Sequence, residues 1–103
     1  ALDRFVAAWN RVQEGRAMRP LEILSFENLP VLLKTLSPAR WALLEKLRKE
    51  GPLSIYELAR RLARDYKNVH TDVTQLAAIR LIQRGEQGQV AVAWDLLRAE
   101  FRL

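Results

Sequence analysis

The chain of 103 residues contains no cysteine and a single histidine, His70. Without cysteine it forms neither a disulfide nor a thiolate metal site, so its folding does not depend on an oxidising compartment. One histidine does not make the imidazole pair or cluster that a zinc site needs. A glycine-rich phosphate loop and a serine nucleophile motif are also missing. We therefore expect no metal, no cofactor and no enzymatic activity.

Long apolar runs are missing as well. A membrane helix needs about 20 predominantly apolar residues, and no stretch of the chain approaches that length. Near the start of the sequence, arginines at positions 4, 11, 16 and 19 break up any signal-peptide core. The expected location is the cytoplasm, with no membrane as a partner.

The net charge of +5 is concentrated in the middle of the sequence. Residues 37–84 carry ten basic and five acidic side chains, whereas the two ends together are balanced. A localised positive field attracts polyanions and raises their encounter rate, which favours a nucleic acid as the partner. The alternative is a set of solvated helix faces that bind nothing.

The sequence of this basic segment predicts where two helices begin. Ser37 before Pro38 predicts an N-cap and a first-turn proline, and the Gly-Pro pair at 51–52 ends that helix. Ser54 and Glu57 have the spacing of a capping box, in which the hydroxyl and the carboxylate both bind free amides. A second helix is predicted to start there.

A third helix is expected over residues 66–79, after a very short turn. Val69, Val73 and Leu76 recur at the spacing of one buried helix face. Apolar and polar residues then alternate on both sides of the loop 85–88, whose glycines tolerate positive φ, and this predicts a β-hairpin. The predicted order of elements is helix, short strand, helix, turn, helix and hairpin. This is the order found in a winged helix-turn-helix.

The predicted fold is therefore mainly α with a small β-hairpin wing. We assign residues 37–93 to the winged helix-turn-helix domain, residues 1–36 to an N-terminal helical extension and residues 94–103 to a C-terminal helix. Apolar stripes at both ends need a partner surface, which favours a homodimer, although they can also pack on their own domain. The expected dimer contacts are Leu2, Phe5, Val6, Trp9, Trp94, Leu97 and Phe101.

The third helix carries the candidate base-reading residues. With its valines turned inward, the opposite arc holds polar side chains that match base edges in the major groove, since amides pair with adenine and lysine reaches guanine. The alternative is an ordinary polar helix face. The candidate base-reading residues are Lys67, Asn68, His70, Thr71, Thr74 and Gln75.

A second set of residues is placed to contact the DNA backbone. Basic side chains flank the turn and the wing base, where they are expected to position the protein on phosphates rather than read sequence. Alternatively, each arginine belongs to a basic rim that contacts only solvent. The tyrosine can equally be half-buried and hold the turn in place. The set comprises Arg60, Arg61, Arg64, Tyr66, Arg84 and Gln87.

Four segments carry a resemblance to known proteins: Phe26-Glu27-Asn28-Leu29, Leu36-Ser37-Pro38-Ala39-Arg40, Ser54 to Leu62, and above all Arg64-Asp65-Tyr66-Lys67-Asn68-Val69-His70-Thr71-Asp72-Val73. These segments resemble a group of small predicted transcriptional regulators of bacteria and archaea with a MarR-like winged helix. The resemblance implies a dimeric DNA-binding protein and is compatible with an antitoxin paired with a toxin. The chain departs from the family pattern at Arg80, where a glycine usually ends the recognition helix, and at Ala93, where a proline usually follows the wing.

The expected function is a homodimeric, sequence-specific repressor that binds double-stranded DNA. The alternative is a winged helix used as a protein-binding adaptor, or as an antitoxin that neutralises a toxin, in which case the basic face is incidental. Fold class alone does not separate the two.

Overall fold

The computed structural model describes residues 21–26 and 28–101, with side chains for residues 28–100. This part of the chain is mainly helical and carries a small antiparallel three-stranded sheet, as expected. Its elements, in order, are β1 (Leu21–Phe26), α1 (Leu29–Thr35), α2 (Pro38–Glu50), β2 (Leu53–Ser54), α3 (Ile55–Leu62), α4 (Tyr66–Ala78), β3 (Gln83–Arg84), a 3-10 turn (Glu86–Gly88), β4 (Gln89–Ala91) and β5 (Leu96–Phe101). None of the helices described is long and apolar enough to cross a membrane.

Both predicted serine caps are present. Ser37 and Ser54 each accept the backbone N–H of the residue three positions later, at 3.3 and 3.1 Å. Only the serine half of the predicted capping box is made, since the Glu57 carboxylate accepts hydrogen bonds from Arg60 and Arg61 instead. The cap alone is sufficient to start α3 at the expected residue.

The core is assembled on the inner face of α4. Val69, Val73 and Leu76 are fully buried, which confirms the predicted spacing. They pack with leucines of α2 and α3 and with the residues that follow α4. The other fully buried large side chains are Leu43, Leu47, Leu58, Leu81 and Val90.

The hairpin, which the alternation predicts over residues 82–92, is also confirmed, with strands of only two and three residues. β3 and β4 pair antiparallel, and β2 joins the other edge of β4. The loop differs in one detail, because positive φ occurs at Gln87 (59°) and Gly88 (74°) whereas Gly85 has a φ of −116°. One of the two glycines therefore has an ordinary backbone conformation.

The predicted C-terminal helix is wrong. Residues 96–101 form β5, which pairs in parallel with β1 from Leu21 opposite Leu96 to Phe26 opposite Phe101. Leucine, arginine, alanine and glutamate in this stretch all favour a helix, so local preference points the wrong way. The strand forms because a hydrogen-bonding partner lies some 75 residues earlier in the chain, and such a partner leaves no trace in local periodicity.

The end of α4 shows how the chain accommodates Arg80 in place of glycine. Arg80 has a φ of 68°, and its N–H donates to the Ala77 carbonyl while the Leu81 N–H donates to the Leu76 carbonyl, both at 3.0 Å. These two bonds are a Schellman motif, whose left-handed position normally favours glycine. The Trp94 indole N–H donates to the Arg80 carbonyl at 2.8 Å and helps to hold this conformation.

Replacing Arg80 by glycine is expected to stabilise the protein by about 1 kcal/mol, because glycine adopts positive φ without a Cβ clash. Arg80→Ala is the control, since it removes the same charge and keeps the strain. Urea denaturation should give a higher midpoint for Arg80→Gly and an unchanged one for Arg80→Ala. Equal midpoints for the two variants would show that the left-handed residue is not strained.

Ion pairs also hold α4 in place. The Asp72 carboxylate accepts from Arg40 Nε at 3.0 Å and from Arg64 Nη2 at 2.9 Å, which joins α4 to α2 and to the turn before it. The side chains of Asp72 and Arg40 are each only 14% exposed. Arg40 also donates to the Thr35 carbonyl at 3.1 Å. Two arginines thus depend on one acid that is largely shielded from water.

Asp72→Asn is expected to lower the free energy of unfolding by about 2 kcal/mol, because it leaves two guanidinium groups without their anion in a half-buried place. Asp65→Asn is a matched control on the same helix. It removes the same charge, but Asp65 acts as the α4 N-cap, a role that asparagine performs equally well. Similar losses of stability in the two variants would contradict a specific role for Asp72.

Candidate nucleic-acid interface

The outer face of α4 carries the exposed polar side chains of this helix. Tyr66 begins the helix at the predicted residue, and the helix ends at Ala78. Because its inner face is fully buried, the polar face can only point outward. All six candidate base-reading residues lie exposed on that face: Lys67, Asn68, His70, Thr71, Thr74 and Gln75.

The carboxyl-terminal half of this face is engaged by other elements. The Thr74 hydroxyl lies 3.4 Å from Arg84 Nη2 of β3, so the hairpin base touches the helix surface there. Gln75 accepts a hydrogen bond from Arg40 of α2. Each of these side chains already accepts one hydrogen bond, so only its remaining donors and lone pairs are available to another molecule.

The amino-terminal half is less engaged. Lys67, Asn68 and His70 form no side-chain hydrogen bond with any residue that the structure describes, whereas the Thr71 hydroxyl donates back to the Lys67 carbonyl at 3.1 Å. The Tyr66 and His70 rings lie one turn apart with centroids 5.9 Å from each other. This end therefore presents an ammonium, an amide, an imidazole and a phenol to solvent.

Two of the candidate phosphate-binding arginines already have acidic neighbours. Arg60 and Arg61 both donate to the Glu57 carboxylate, and Arg61 also donates to Glu50 at 2.9 Å. The hydrogen bonds from Arg60 and then from Arg61 lower the pKa of Glu57 to about 2. The pKa of Glu50 is lowered too, above all by its hydrogen bond from Lys46. Much of the positive charge on α3 is thus matched within the protein.

Arg64 is turned inward. Its Nη2 atom binds Asp72, and its Nη1 atom is buried without a hydrogen-bond partner among the described residues. The side chain therefore braces the turn against α4. A contact between Arg64 and a phosphate stays a prediction, and it requires this bracing to loosen.

The hairpin supplies two exposed polar residues, of which Arg84 contacts α4. Arg84 ends β3 beside Thr74, and Gln87 lies at the loop tip. Neither faces an acidic side chain among the described residues. Arg84 and Lys67 are consequently the cations of this surface with the least internal compensation.

The predicted dimer contacts divide into two groups. Trp94 and Leu97 are described; both are half-buried and pack against the core. The backbone of Phe101 pairs with Phe26 in the parallel sheet. The four expected contacts near the chain start, at positions 2, 5, 6 and 9, lie outside the described residues.

Sequence reasoning missed the role of Arg40 and Asp72. They are 32 residues apart, and no local pattern connects them. One signal was available: Asp72 immediately precedes Val73 and lies one turn from Val69, so it falls on the edge of the buried face. An acid in that position requires a cationic partner from another element.

Comparison with known proteins connects the helices and the hairpin to one family. No curated protein and no solved structure matches the chain. The HVO_A0114 family matches residues 35–99, which comprise more than half of the chain and include α2, α3, α4 and the hairpin. The protein therefore belongs to the HVO_A0114 family.

Proposed function

We propose that the protein is a sequence-specific, double-stranded DNA-binding transcriptional regulator of the MarR-like winged helix-turn-helix type. α4 is its recognition helix in the major groove, and the hairpin is a wing on the DNA backbone. The active species is a homodimeric repressor that reads two half-sites. The observation that carries the proposal is the exposed polar face of α4 on a helix whose opposite face is fully buried.

The chemistry of that face supports base recognition. Asn68 can pair with adenine through two hydrogen bonds, Lys67 can reach guanine, and Thr71 offers a hydroxyl and a methyl group. These residues lie in the amino-terminal half of α4, the part of a recognition helix that enters the groove in helix-turn-helix proteins. Ala78 leaves room for close approach at the other end.

The Lys67→Ala, Thr71→Ala double variant is expected to weaken binding to the DNA upstream of the protein's own gene by tenfold to a hundredfold, since a good base contact is worth about 1–3 kcal/mol. Fluorescence anisotropy at fixed salt measures the change. Lys34→Ala is the control, because it removes an exposed lysine from α1. Unchanged DNA affinity in the double variant, with binding to a toxin or other protein partner intact, would instead favour the adaptor.

The salt dependence of DNA binding distinguishes free from compensated arginines. Each phosphate contact contributes about 0.9 to the slope of log K against log salt. Arg84→Ala should lower the slope by about that amount. Arg61→Ala should leave it nearly unchanged, because Glu57 and Glu50 already hold that guanidinium. A slope insensitive to Arg84→Ala would argue against the hairpin as a wing on the DNA backbone.

A further inference from the structure

Among the candidate base-reading residues, Gln75 is the one whose amide is bound by a neighbouring helix. Its side chain is exposed on α4, and its Oε1 atom accepts a hydrogen bond from Arg40 Nη2 of α2. A guanidinium group only donates hydrogen bonds, so the amide atom that faces Arg40 has to be the oxygen. The nitrogen, Nε2, forms no hydrogen bond with any residue that the structure describes. The two ends of this amide are therefore not equivalent toward a ligand.

Arg40 is itself held on all sides. Its Nε atom donates to Asp72 at 3.0 Å, its Nη1 atom donates to the Thr35 carbonyl at 3.1 Å, and its side chain is only 14% exposed. Each nitrogen of the guanidinium group thus has a partner within the protein. A side chain bound to a donor that is fixed in this way keeps one orientation before any ligand arrives. Gln75 is consequently oriented with its oxygen toward α2.

Thr74, the residue before Gln75, has a similar arrangement. Its Oγ1 atom accepts from Arg84 Nη2 at 3.4 Å. The Thr71 hydroxyl donates to the Lys67 carbonyl, but the Thr74 hydroxyl donates to no residue among those described. A hydroxyl group carries one hydrogen to donate, and an amide nitrogen carries two. Adjacent residues on this face therefore both accept from an arginine and both keep a donor for another molecule.

A surface that offers mainly donors discriminates among the bases. In the major groove guanine presents two acceptors, N7 and O6, whereas adenine presents one acceptor and one donor, thymine one acceptor, and cytosine one donor. A glutamine pairs with adenine only when its amide oxygen and nitrogen both face the base. The Gln75 oxygen is bound to Arg40, so its Nε2 group is better matched to guanine than to adenine.

Asn68 provides the comparison within the same helix. It lies seven residues before Gln75, about two helical turns, and therefore on the same side of α4. Its side chain forms no hydrogen bond with any described residue, so both amide atoms are available and the usual pairing with adenine applies. The two amides have the same chemistry, and the contact with Arg40 is what distinguishes them.

We propose that Arg40 is a positioning residue that makes Gln75 a hydrogen-bond donor, and that Gln75 reads guanine in each half-site while Asn68 reads adenine. The inference rests on the proposed function and identifies the bases that α4 recognises. It also assigns to Arg40, a residue of α2 that is largely buried, an effect on sequence preference without contact with DNA.

The test uses the full chain and a library of duplexes with 20 randomised base pairs. Bound duplexes are recovered and sequenced, which gives the preferred base at every position of the half-site. Gln75→Glu keeps a partner for Arg40 but replaces the donor by an acceptor, and a carboxylate accepts from cytosine N4. One position should therefore change from guanine to cytosine. Fluorescence anisotropy on the two matching duplexes should show about a tenfold preference that reverses in the variant.

Asn68→Asp is the matched control, because it makes the same chemical change in the amide that Arg40 does not touch. It should alter a different position, one at which the wild type selects adenine, and leave the guanine position as it is. Both substitutions are on the exposed face of α4 and leave the buried face intact.

The role of Arg40 is tested by Arg40→Met, which frees the Gln75 oxygen. The guanine position should then accept adenine as well. Arg64→Met is the control for a purely structural effect, since each variant leaves Asp72 with one of its two arginines and only Arg40 contacts Gln75. Arg64→Met should lower the thermal midpoint measured by circular dichroism and leave the base preferences unchanged.

Three results would overturn the inference. The first is a wild-type motif without a guanine that Gln75→Glu changes. The second is a uniform loss of affinity for all sequences in Gln75→Glu, which would make Gln75 a phosphate contact. The third is an unchanged guanine preference in folded Arg40→Met. All three leave sequence-specific binding intact, whereas a library from which the wild type recovers no motif would contradict the proposed function itself.

Discussion

The anchoring of α4 by its inner face is the constraint on which the rest of the structure depends. Val69, Val73 and Leu76 are completely removed from water, and burial of each such side chain contributes about 1.5–3 kcal/mol. A helix held this firmly cannot rotate about its axis without exposing apolar surface. Its polar residues are therefore presented in one fixed orientation, which a recognition surface requires.

Ion pairs add to the anchoring that α4 gains from its buried apolar face. Asp72 fixes the rotation of α4 through Arg40 and Arg64, and the same interaction withdraws both arginines from the surface. Glu57 of α3 and Glu50 of α2 neutralise Arg61, which nevertheless stays exposed. The basic side chains of residues 37–84 are thus divided between cations that hold the fold and cations, such as Lys67 and Arg84, that remain available to a ligand.

Sequence reasoning was most successful where the structural signal is local. The serine caps at Ser37 and Ser54, the buried face of α4 and the hairpin each depend on residues within about one or two turns of one another. It failed at residues 96–101, where a distant strand overrides helical preference. It also missed the Asp72 network, whose two arginines come from α2 and from the turn before α4. For the candidate site, sequence reasoning identified which side chains of α4 are exposed. It did not identify which of them already form hydrogen bonds within the protein.

The pairing of β1 with β5 connects the ends of the described chain to the core. Two strands alone are marginal in water, so this parallel pair needs support from outside the sheet. Leu97 provides part of it by packing on the core. The same residue lines a groove together with Trp41 and Leu44 of α2, so the surface that supports β5 is continuous with that helix. Formation of the parallel pair and packing of Leu97 on the core are therefore thermodynamically linked, since each favours the other.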